Sequence, residues 1–226
     1  MTSYKNIALE YAQAVASGRK VAGADVKKAC ERFLEDLKRP DLELHTREPD
    51  FVIAIIERTM VHKQGEDLSG RPLLGTPFLL QPFQIFIVYN LIGFYNKGTQ
   101  ERRYKEAFIF IPRKNGKTSF VAGLAWGIAL LERESGASLY IVAASLKQAI
   151  QSFEFICNSL QSNGLIDNFR VRNNNAEHSI FYEFKKPNGA PAGSIRIERL
   201  RSNPDTQDSF NSVSYTHLTL PTILRV

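Results

Sequence analysis

The chain has 226 residues, of which 43% are hydrophobic and 23% are charged, a composition typical of a soluble globular protein. Its 29 Lys and Arg against 23 Asp and Glu give a net charge of +6, which permits a polyanionic partner without requiring one. No apolar run reaches the roughly 18 residues of a membrane span and no secretion signal opens the chain, so we expect an intracellular protein. The two cysteines and four histidines lack metal-ligand spacing, which argues against a zinc site.

The N-terminal region is predicted to be helical. Residues 4–17 and 24–39 carry hydrophobic side chains at the 3.6-residue period of a helix. A third helix is predicted to begin at Pro49 or Asp50, because proline and acidic residues favour the first turn. We therefore expect residues 1–63 to form a helical extension that packs on a neighbouring domain.

A glutamine at the start of the next helix is a candidate ligand for a purine base. Residues 64–76 are rich in glycine and favour a loop, and the segment 77–84 then leads into an apolar helix predicted over 85–94. The proline, aromatic residue and glutamine at its start are similar to the adenine-recognition motif of helicase-like motor ATPases. The amide of Gln84 can donate to N7 of adenine and accept from N6. The alternative is that Gln84 only caps the helix or lies on its surface.

The segment that bears most directly on function is Glu106–Ser119, EAFIFIPRKNGKTS. An apolar run over 107–111 is followed by a short polar loop and then by an amphipathic helix, which predicts a strand, a phosphate loop and a helix. Such a loop directs backbone N–H groups and a helix N-terminus at one point, where phosphates bind. Lys117 is expected to contact the β and γ phosphates of ATP, and Thr118 to bind Mg²⁺ through its hydroxyl.

This loop departs from the standard form G-x-x-x-x-G-K-[ST]. Ile111 stands where the first glycine is usual, so Gly116 is the only glycine of the motif. The intervening Arg113 and Lys114 are either a solvated basic turn or cations that an anion neutralises.

Downstream, the pattern of an α/β domain continues. The helix predicted over 117–132 is followed by a strand predicted over 138–143, and Ser145 is the predicted N-cap of a further helix. Two more strands are predicted over 178–184 and 194–200, joined by a turn.

Together these segments resemble the large terminase subunit of tailed bacteriophages, the motor that packages DNA into a preformed capsid. The resemblance covers nearly all of residues 45–212, and its most specific segments are IPRKNGKTSF, LQPFQ, AASLKQA and RLRSNPDTQDSFNS. It implies an α/β fold of the helicase-like P-loop NTPase type, with a mainly parallel sheet and helices on both faces. Residues 64–212 are then the ATPase domain, and known members also carry a nuclease domain.

The resemblance also implies cofactors, partners and site residues. ATP and Mg²⁺ are the expected cofactors, with Thr118 as the metal ligand. The expected partners are double-stranded DNA, a small terminase subunit and a portal protein, with a homo-oligomeric ring on the portal and no membrane. The expected location is the host cytoplasm, and the protein is expected to be absent from the mature virion. The implied nucleotide-binding residues are Gln84, Arg113, Lys114, Asn115, Gly116, Lys117, Thr118 and Ser119.

The acidic motif that such a motor needs is missing from the sequence. Hydrolysis requires an apolar strand that ends in Asp-Glu, to hold the Mg²⁺ shell and polarise water. Neither Asp205 nor Asp208 follows an apolar run, so the catalytic residues stay unassigned and we expect poor turnover. Two alternatives stay open, a helicase-like P-loop ATPase acting on nucleic acid and a non-catalytic binding module.

The last residues have an unusual sequence. From Val213 the chain continues VSYTHLTLPT, which resembles the in-frame translation of a transposon-end adapter used in DNA sequencing. We therefore expect residues 213–226 to be a non-native tail, with the native product continuing beyond this point. The alternative is a genuine strand, since alternating Leu and Thr favour one.

Overall fold

The computed structural model describes residues 3–67, 69–99, 101–112, 115–133, 136–143, 146–174, 177–200, 214–218 and 222–225. These residues form a mixed α/β protein. The chain divides into two compact units. The first unit contains residues 1–54 and 80–105, and the second contains residues 55–79 and 106–226. The predicted domains, residues 1–63, 64–212 and 213–226, are each continuous in sequence, whereas each compact unit consists of two separate stretches. The predicted domain boundaries stay a prediction.

The first unit is mainly helical. Its elements are α1 (Tyr4–Ala16), α2 (Ala24–Asp36), β1 (Leu42–Leu44), the first part of α3 (Arg47–Thr59), α4 (Pro82–Ile92) and β2 (Phe94–Asn96). The predicted helices are confirmed, although their ends shift by a few residues. Helix α3 begins two residues before Pro49, because the first turn of a helix tolerates proline. Strands β1 and β2 form an antiparallel pair that the sequence analysis did not predict.

An aromatic cluster holds the first unit together. Phe33 of α2 lies edge-on against Phe86 of α4 and Phe94 of β2, with ring centroids 5.3 and 5.4 Å apart. Phe33 and Phe94 are fully buried. Burying an aromatic side chain of this size stabilises a fold by about 2 to 3 kcal/mol, and edge-on pairs add to that.

A buried carboxylate ties α2 to the segment after β2. The side chain of Asp36 is 2% exposed and forms an ion pair with Arg103. The hydroxyl of Tyr104 donates a hydrogen bond of 3.2 Å to the same carboxylate. Burial raises the pKa of the Tyr104 hydroxyl, so this group stays a donor at neutral pH.

Gly93 permits a close approach between the end of α4 and β1. A Cβ atom at this position would lie 2.9 Å from Cδ1 of Leu44 and 3.2 Å from the carbonyl oxygen of His45. The carbonyl of Gly93 also accepts a hydrogen bond of 2.8 Å from the His45 N–H. The nearest obstacle is the carbonyl oxygen of Tyr89, 2.6 Å from that Cβ position. We expect Gly93→Ala to lower the free energy of unfolding by about 1 to 3 kcal/mol, because backbone at the end of α4 must move to admit the methyl group.

Urea denaturation followed by far-UV circular dichroism measures this change. Gly23→Ala is the control for the entropy of the unfolded chain, since a Cβ there meets nothing within 4 Å and its φ of −64° suits alanine. A Gly93→Ala protein no less stable than Gly23→Ala would contradict the close approach.

The second unit is built on a sheet. Its elements are the end of α3, β3 (Glu106–Ile109), α5 (Lys117–Leu131), β4 (Ala137–Ala143), α6 (Leu146–Ser162), β5 (Arg170–Asn173), β6 (His178–Lys185), β7 (Pro191–Leu200), β8 (Ser214–Leu218) and β9 (Thr222–Arg225). The described strands form one sheet in the order β3-β9-β8-β4-β7-β6-β5. The predicted strand, loop, helix, strand and helix between residues 106 and 162 are thus confirmed. The predicted cap of α6, Ser145, lies outside the described residues.

The prediction of a mainly parallel sheet is wrong for the described strands. Only β4 with β7 and β4 with β8 pair in parallel, whereas the other four pairings of this sheet are antiparallel. The connection between β6 and β7 spans only residues 186–190 and is closed by a hydrogen bond of 2.8 Å from the Gly189 N–H to the Lys186 carbonyl. A connection this short permits a hairpin but no crossover.

The prediction of helices on both faces of the sheet does not hold for α5 and α6, which pack on the same face. The two helices contact each other, and both contact β4 and β7. The register places Leu139, Ile180 and Ile197 on one face, where all three are buried. Phe153 of α6 lies against His178, which shares this face, so the helices pack on it. On the opposite face, Arg170, Phe181 and Arg196 form a row across β5, β6 and β7.

Residues of the proposed tail lie within this sheet. Strand β8 pairs with β4, and β9 pairs with both β8 and β3. Main-chain pairing needs only N–H and C=O groups, which every residue other than proline has. Pairing therefore does not distinguish a native strand from an added one. The origin of residues 213–226 therefore stays a prediction.

Both cysteines are buried thiols. Cys30 belongs to the first unit and Cys157 to the second. Burial raises the pKa of the Cys30 thiol to about 11 and that of Cys157 to about 12. A protonated thiol is a poor nucleophile and a poor metal ligand, so neither is suited to chemistry.

Among the described residues, no helix is long and apolar enough to cross a bilayer.

Candidate phosphate-binding site

The loop between β3 and α5 connects the end of a strand to the start of a helix. Strand β3 ends at Ile109 and α5 begins at Lys117. The order of residue types in the sequence predicts this junction, and the structure confirms it for the described residues. Arg113 and Lys114, two predicted contacts of the phosphates, lie outside the described residues.

Gly116 sets the geometry of the helix start. It is the N-cap of α5 and has φ +67° and ψ +16°, the left-handed conformation that glycine adopts without strain. It provides no side-chain cap, and the first intrahelical bond is the one from the Phe120 N–H to the Gly116 carbonyl at 2.9 Å. As in any α-helix, the N–H groups before Phe120 have no acceptor within the helix. The N-terminus of α5 is therefore open to an anion.

The first turn of α5 contains a cation and no carboxylate. Lys117 is its first residue, and no acidic residue lies in this turn. A positive charge at a helix N-terminus opposes the helix dipole, and an anion bound there relieves that repulsion. Lys117 is half-buried and Thr118 is exposed, while Ser119 is half-buried. These three residues, all predicted to bind the nucleotide, thus lie in the first turn of α5.

Asn115 makes a contact that the sequence analysis missed. Its Nδ2 donates a hydrogen bond of 3.3 Å to the carbonyl oxygen of Pro112, three residues earlier. The sequence signal was an asparagine three positions after a proline in a loop, since asparagine commonly bonds to nearby backbone groups in turns.

Gln84 lies in the first unit, at the third position of α4. Its side-chain oxygen Oε1 accepts a hydrogen bond of 2.8 Å from the Gln81 N–H, and the residue is only 4% exposed. The structure thus shows the capping role that was one of the two alternatives for this residue. An amide oxygen has a second lone pair and the amide nitrogen is a donor, so recognition of adenine stays a prediction.

Among the described residues, no group of three or more His, Cys, Asp or Glu side chains is placed to hold a metal ion. The hydroxyl of Thr118 is the one protein group predicted to bind Mg²⁺. A P-loop Mg²⁺ takes most of its oxygen ligands from phosphates and water, so a single hydroxyl is compatible with that chemistry.

The family of the chain follows from residues 82–213. They match the family model described as the terminase large subunit, ATPase domain, over more than half of the chain. The chain belongs to this terminase family. The match includes both Gln84 and the loop before α5, and it ends where the adapter-like sequence begins.

This terminase chain is similar to the large terminase of bacteriophage HK97, known from a crystal structure, with 21% sequence identity and a TM-score of 0.47. The similarity covers 73% of this chain and 29% of the HK97 protein. The present terminase chain therefore spans less than a third of the length of that relative. No curated protein matches the sequence significantly.

Proposed function

We propose that this chain is the ATP-binding part of a motor that couples ATP hydrolysis to packaging of double-stranded DNA into a phage procapsid. The main support for this proposal is the start of α5. Its N-cap, Gly116, is in the left-handed conformation and provides no side-chain cap, and Lys117 lies in the first turn. Membership of the terminase ATPase family supports a nucleoside triphosphate as the anion. A small terminase subunit, a portal and a ring of copies are the partners proposed with it.

Three side chains, those of Lys117, Thr118 and Gln84, have specific proposed tasks, together with the N–H groups at the start of α5. The N–H groups of the first turn of α5 donate to phosphate oxygens, and the helix dipole favours their negative charge. The ammonium of Lys117 contacts the β and γ phosphates, and the hydroxyl of Thr118 binds Mg²⁺. Mg²⁺ neutralises charge that develops on the phosphates during transfer. Gln84 is proposed to contact the adenine base through its amide.

Turnover is proposed to be slow in this chain. Hydrolysis of ATP needs a carboxylate that orients or polarises the attacking water. The sequence has no apolar strand that ends in Asp-Glu. We infer that this chain binds nucleotide more effectively than it hydrolyses it.

Hydrogen exchange tests the site directly. We expect ATP with Mg²⁺ to slow exchange of the amides of Lys117, Thr118 and Ser119 several-fold, since each becomes a donor to phosphate. The hairpin turn at 186–190 provides an internal control whose exchange should not change. Unaltered exchange in the first turn of α5 at saturating ATP would favour a non-catalytic module that contains G-K-T by chance.

The adapter origin of the tail is a separate proposal with its own test. We infer that residues 213–226 derive from a transposon-end adapter, on the strength of the VSYTHLTLPT sequence. Amplification of the gene from unfragmented DNA, followed by sequencing across the codon for Ser212, should yield a different continuation. Recovery of the same codons would show that β8 and β9 are native strands.

A further inference from the structure

The turn between β6 and β7 carries two adjacent lysines. Lys185 is the last residue of β6 and Lys186 is the first residue of the turn. Both lysines are exposed, as is the rest of the turn up to residue 189. Among the described residues, neither lysine forms an ion pair with a carboxylate. Their charges are therefore open to an anionic ligand.

A third cation without a carboxylate partner lies on the neighbouring strand. Arg170 of β5 is opposite Phe181 of β6, and its guanidinium lies 5.9 Å from the centre of that ring. Arg196 approaches the same ring at 5.6 Å but donates a hydrogen bond of 2.8 Å to Glu198. Arg170 has no such partner within the part of the chain that the structure describes.

Arg170 and Lys185 border one concavity of the surface. Its volume is about 180 Å³, and it is lined by Asn168, Arg170, Phe181, Tyr182, Glu183 and Lys185. Of the described residues in this lining, Glu183 is the one carboxylate, and it forms no ion pair with either cation. With Lys186 added, the surface presents three positive charges against one negative charge. We refer to Arg170, Lys185 and Lys186 as the basic patch.

Hydrogen bonds fix the backbone of the turn that carries the lysines. The Lys186 N–H donates to the Ala190 carbonyl, and the Gly189 N–H donates to the Lys186 carbonyl, both at 2.8 Å. The side-chain Oδ1 of Asn188 accepts a further bond of 3.1 Å from the Ala190 N–H. A ligand that binds here meets a preformed backbone, so less conformational entropy is lost on binding.

The composition of this surface favours a polyanion over an apolar protein partner. None of the large exposed hydrophobic side chains of the described residues lies between residues 168 and 190. Protein interfaces have a more apolar centre, in which lysine is depleted. Duplex DNA carries a negative charge about every 1.7 Å along its axis, and lysine and arginine contact its phosphates without reading the bases.

We infer that Arg170, Lys185 and Lys186 form a contact surface for the phosphate backbone of duplex DNA. This surface shares no residue with the phosphate loop. The choice of duplex DNA as the ligand rests on the proposed packaging function, whereas the placement of the cations comes from the structure. Contacts to the backbone alone are independent of base sequence, which suits a motor that acts on every part of a genome.

The test uses the whole chain with Lys185→Gln and Lys186→Gln combined in one double variant. Fluorescence anisotropy with a labelled duplex, in the absence of nucleotide, should give a dissociation constant about tenfold higher than for the unmodified chain at about 50 mM salt. The slope of log affinity against log salt concentration should become shallower by about 2, since two phosphate contacts are lost. Arg170→Gln should reduce the slope by about 1, and two duplexes of unrelated sequence should respond equally.

A second double variant controls for net charge. Lys63→Gln with Lys105→Gln also removes two positive charges, from side chains that form ion pairs with Glu154 and Glu101. This variant should keep the salt slope of the unmodified chain. Lys185→Arg combined with Lys186→Arg should keep both the slope and the affinity, because arginine also binds phosphate.

The outcomes separate this inference from its alternatives. Equal losses in the two glutamine double variants would show that binding follows net charge alone, and would overturn the inference. Displacement of the labelled duplex by poly-glutamate, as effective as displacement by unlabelled duplex at equal charge, would assign the basic patch to an acidic protein and overturn it as well. Calorimetry with ATP is independent of these measurements. Failure of the unmodified chain to bind ATP rejects the proposed nucleotide site, whereas failure to bind the duplex rejects only the basic patch as a DNA contact.

Discussion

Lys117→Ala is expected to raise the dissociation constant for ATP with Mg²⁺ by about 10- to 100-fold, the value of a hydrogen bond to a charged group. The reason is that Lys117 opens α5 next to left-handed Gly116, where no acidic residue offsets its charge. An ammonium at that position contributes to folding unfavourably and to phosphate binding favourably. The substitution should therefore leave stability unchanged or slightly raised while it removes affinity.

Isothermal titration calorimetry measures the loss, and Lys186→Ala is the control. Lys186 is an exposed lysine in the β6–β7 turn of the same unit. Its removal lowers the net charge of the chain equally, so it corrects for long-range attraction of the nucleotide. Equal affinities of the two variants would remove Lys117 from the site and, with it, the main support for the motor assignment.

Trp126→Ala is expected to give the largest loss of stability, about 3 to 5 kcal/mol, as is usual for truncation of a buried tryptophan. The side chain lies on α5 and is 1% exposed. Its ring packs edge-on against Phe169 at 5.4 Å, and its Nε1 donates a hydrogen bond of 3.0 Å to Oγ1 of Thr59. Alanine would leave a cavity and deprive both partners of a contact.

Trp126→Phe separates the two contributions. Phenylalanine keeps an aromatic ring at the site but has no N–H group, so we expect it to cost about 1 to 2 kcal/mol. Thr59 also donates a hydrogen bond of 2.6 Å to the Ile55 carbonyl, which keeps its hydroxyl satisfied as a donor. Urea unfolding with far-UV detection gives both values, and a loss below about 1 kcal/mol for Trp126→Ala would contradict the packing described for α5.

Much of the local structure could be predicted from the sequence. Helices α1, α2 and α6 each carry a hydrophobic stripe at helical period, and the strand, loop and helix around Gly116 follow from the order of residue types. The prediction that α5 is amphipathic is wrong, because this helix is buried on every side from Phe120 to Ala129. These features depend on neighbours within a few positions along the chain. The glycine at the N-cap of α5 was predictable for the same reason, because its left-handed conformation is a property of one residue.

The role of Gln84 shows where local reasoning stops. A sequence pattern supported both adenine recognition and helix capping, since the same amide can serve in either. Only the structure shows that Oε1 accepts from the Gln81 N–H. The contact of Asn115 with Pro112 was missed because asparagine in a loop has several backbone groups within reach.

The amino-acid sequence by itself determined the helices, the strand-to-helix phosphate loop and the family resemblance, because periodicity, glycine conformation and motif spacing are local properties of a chain. Tertiary structure alone decided the strand order, the four antiparallel pairings and the packing of α5 and α6 on one face of the sheet. A strand presents the same hydrogen-bonding groups to any neighbour, so its partner and direction depend on connection lengths and on burial across the whole unit. The short strands β1 and β2 were likewise decided by tertiary structure. Three residues are too few to show the alternating pattern by which a strand can be predicted from sequence.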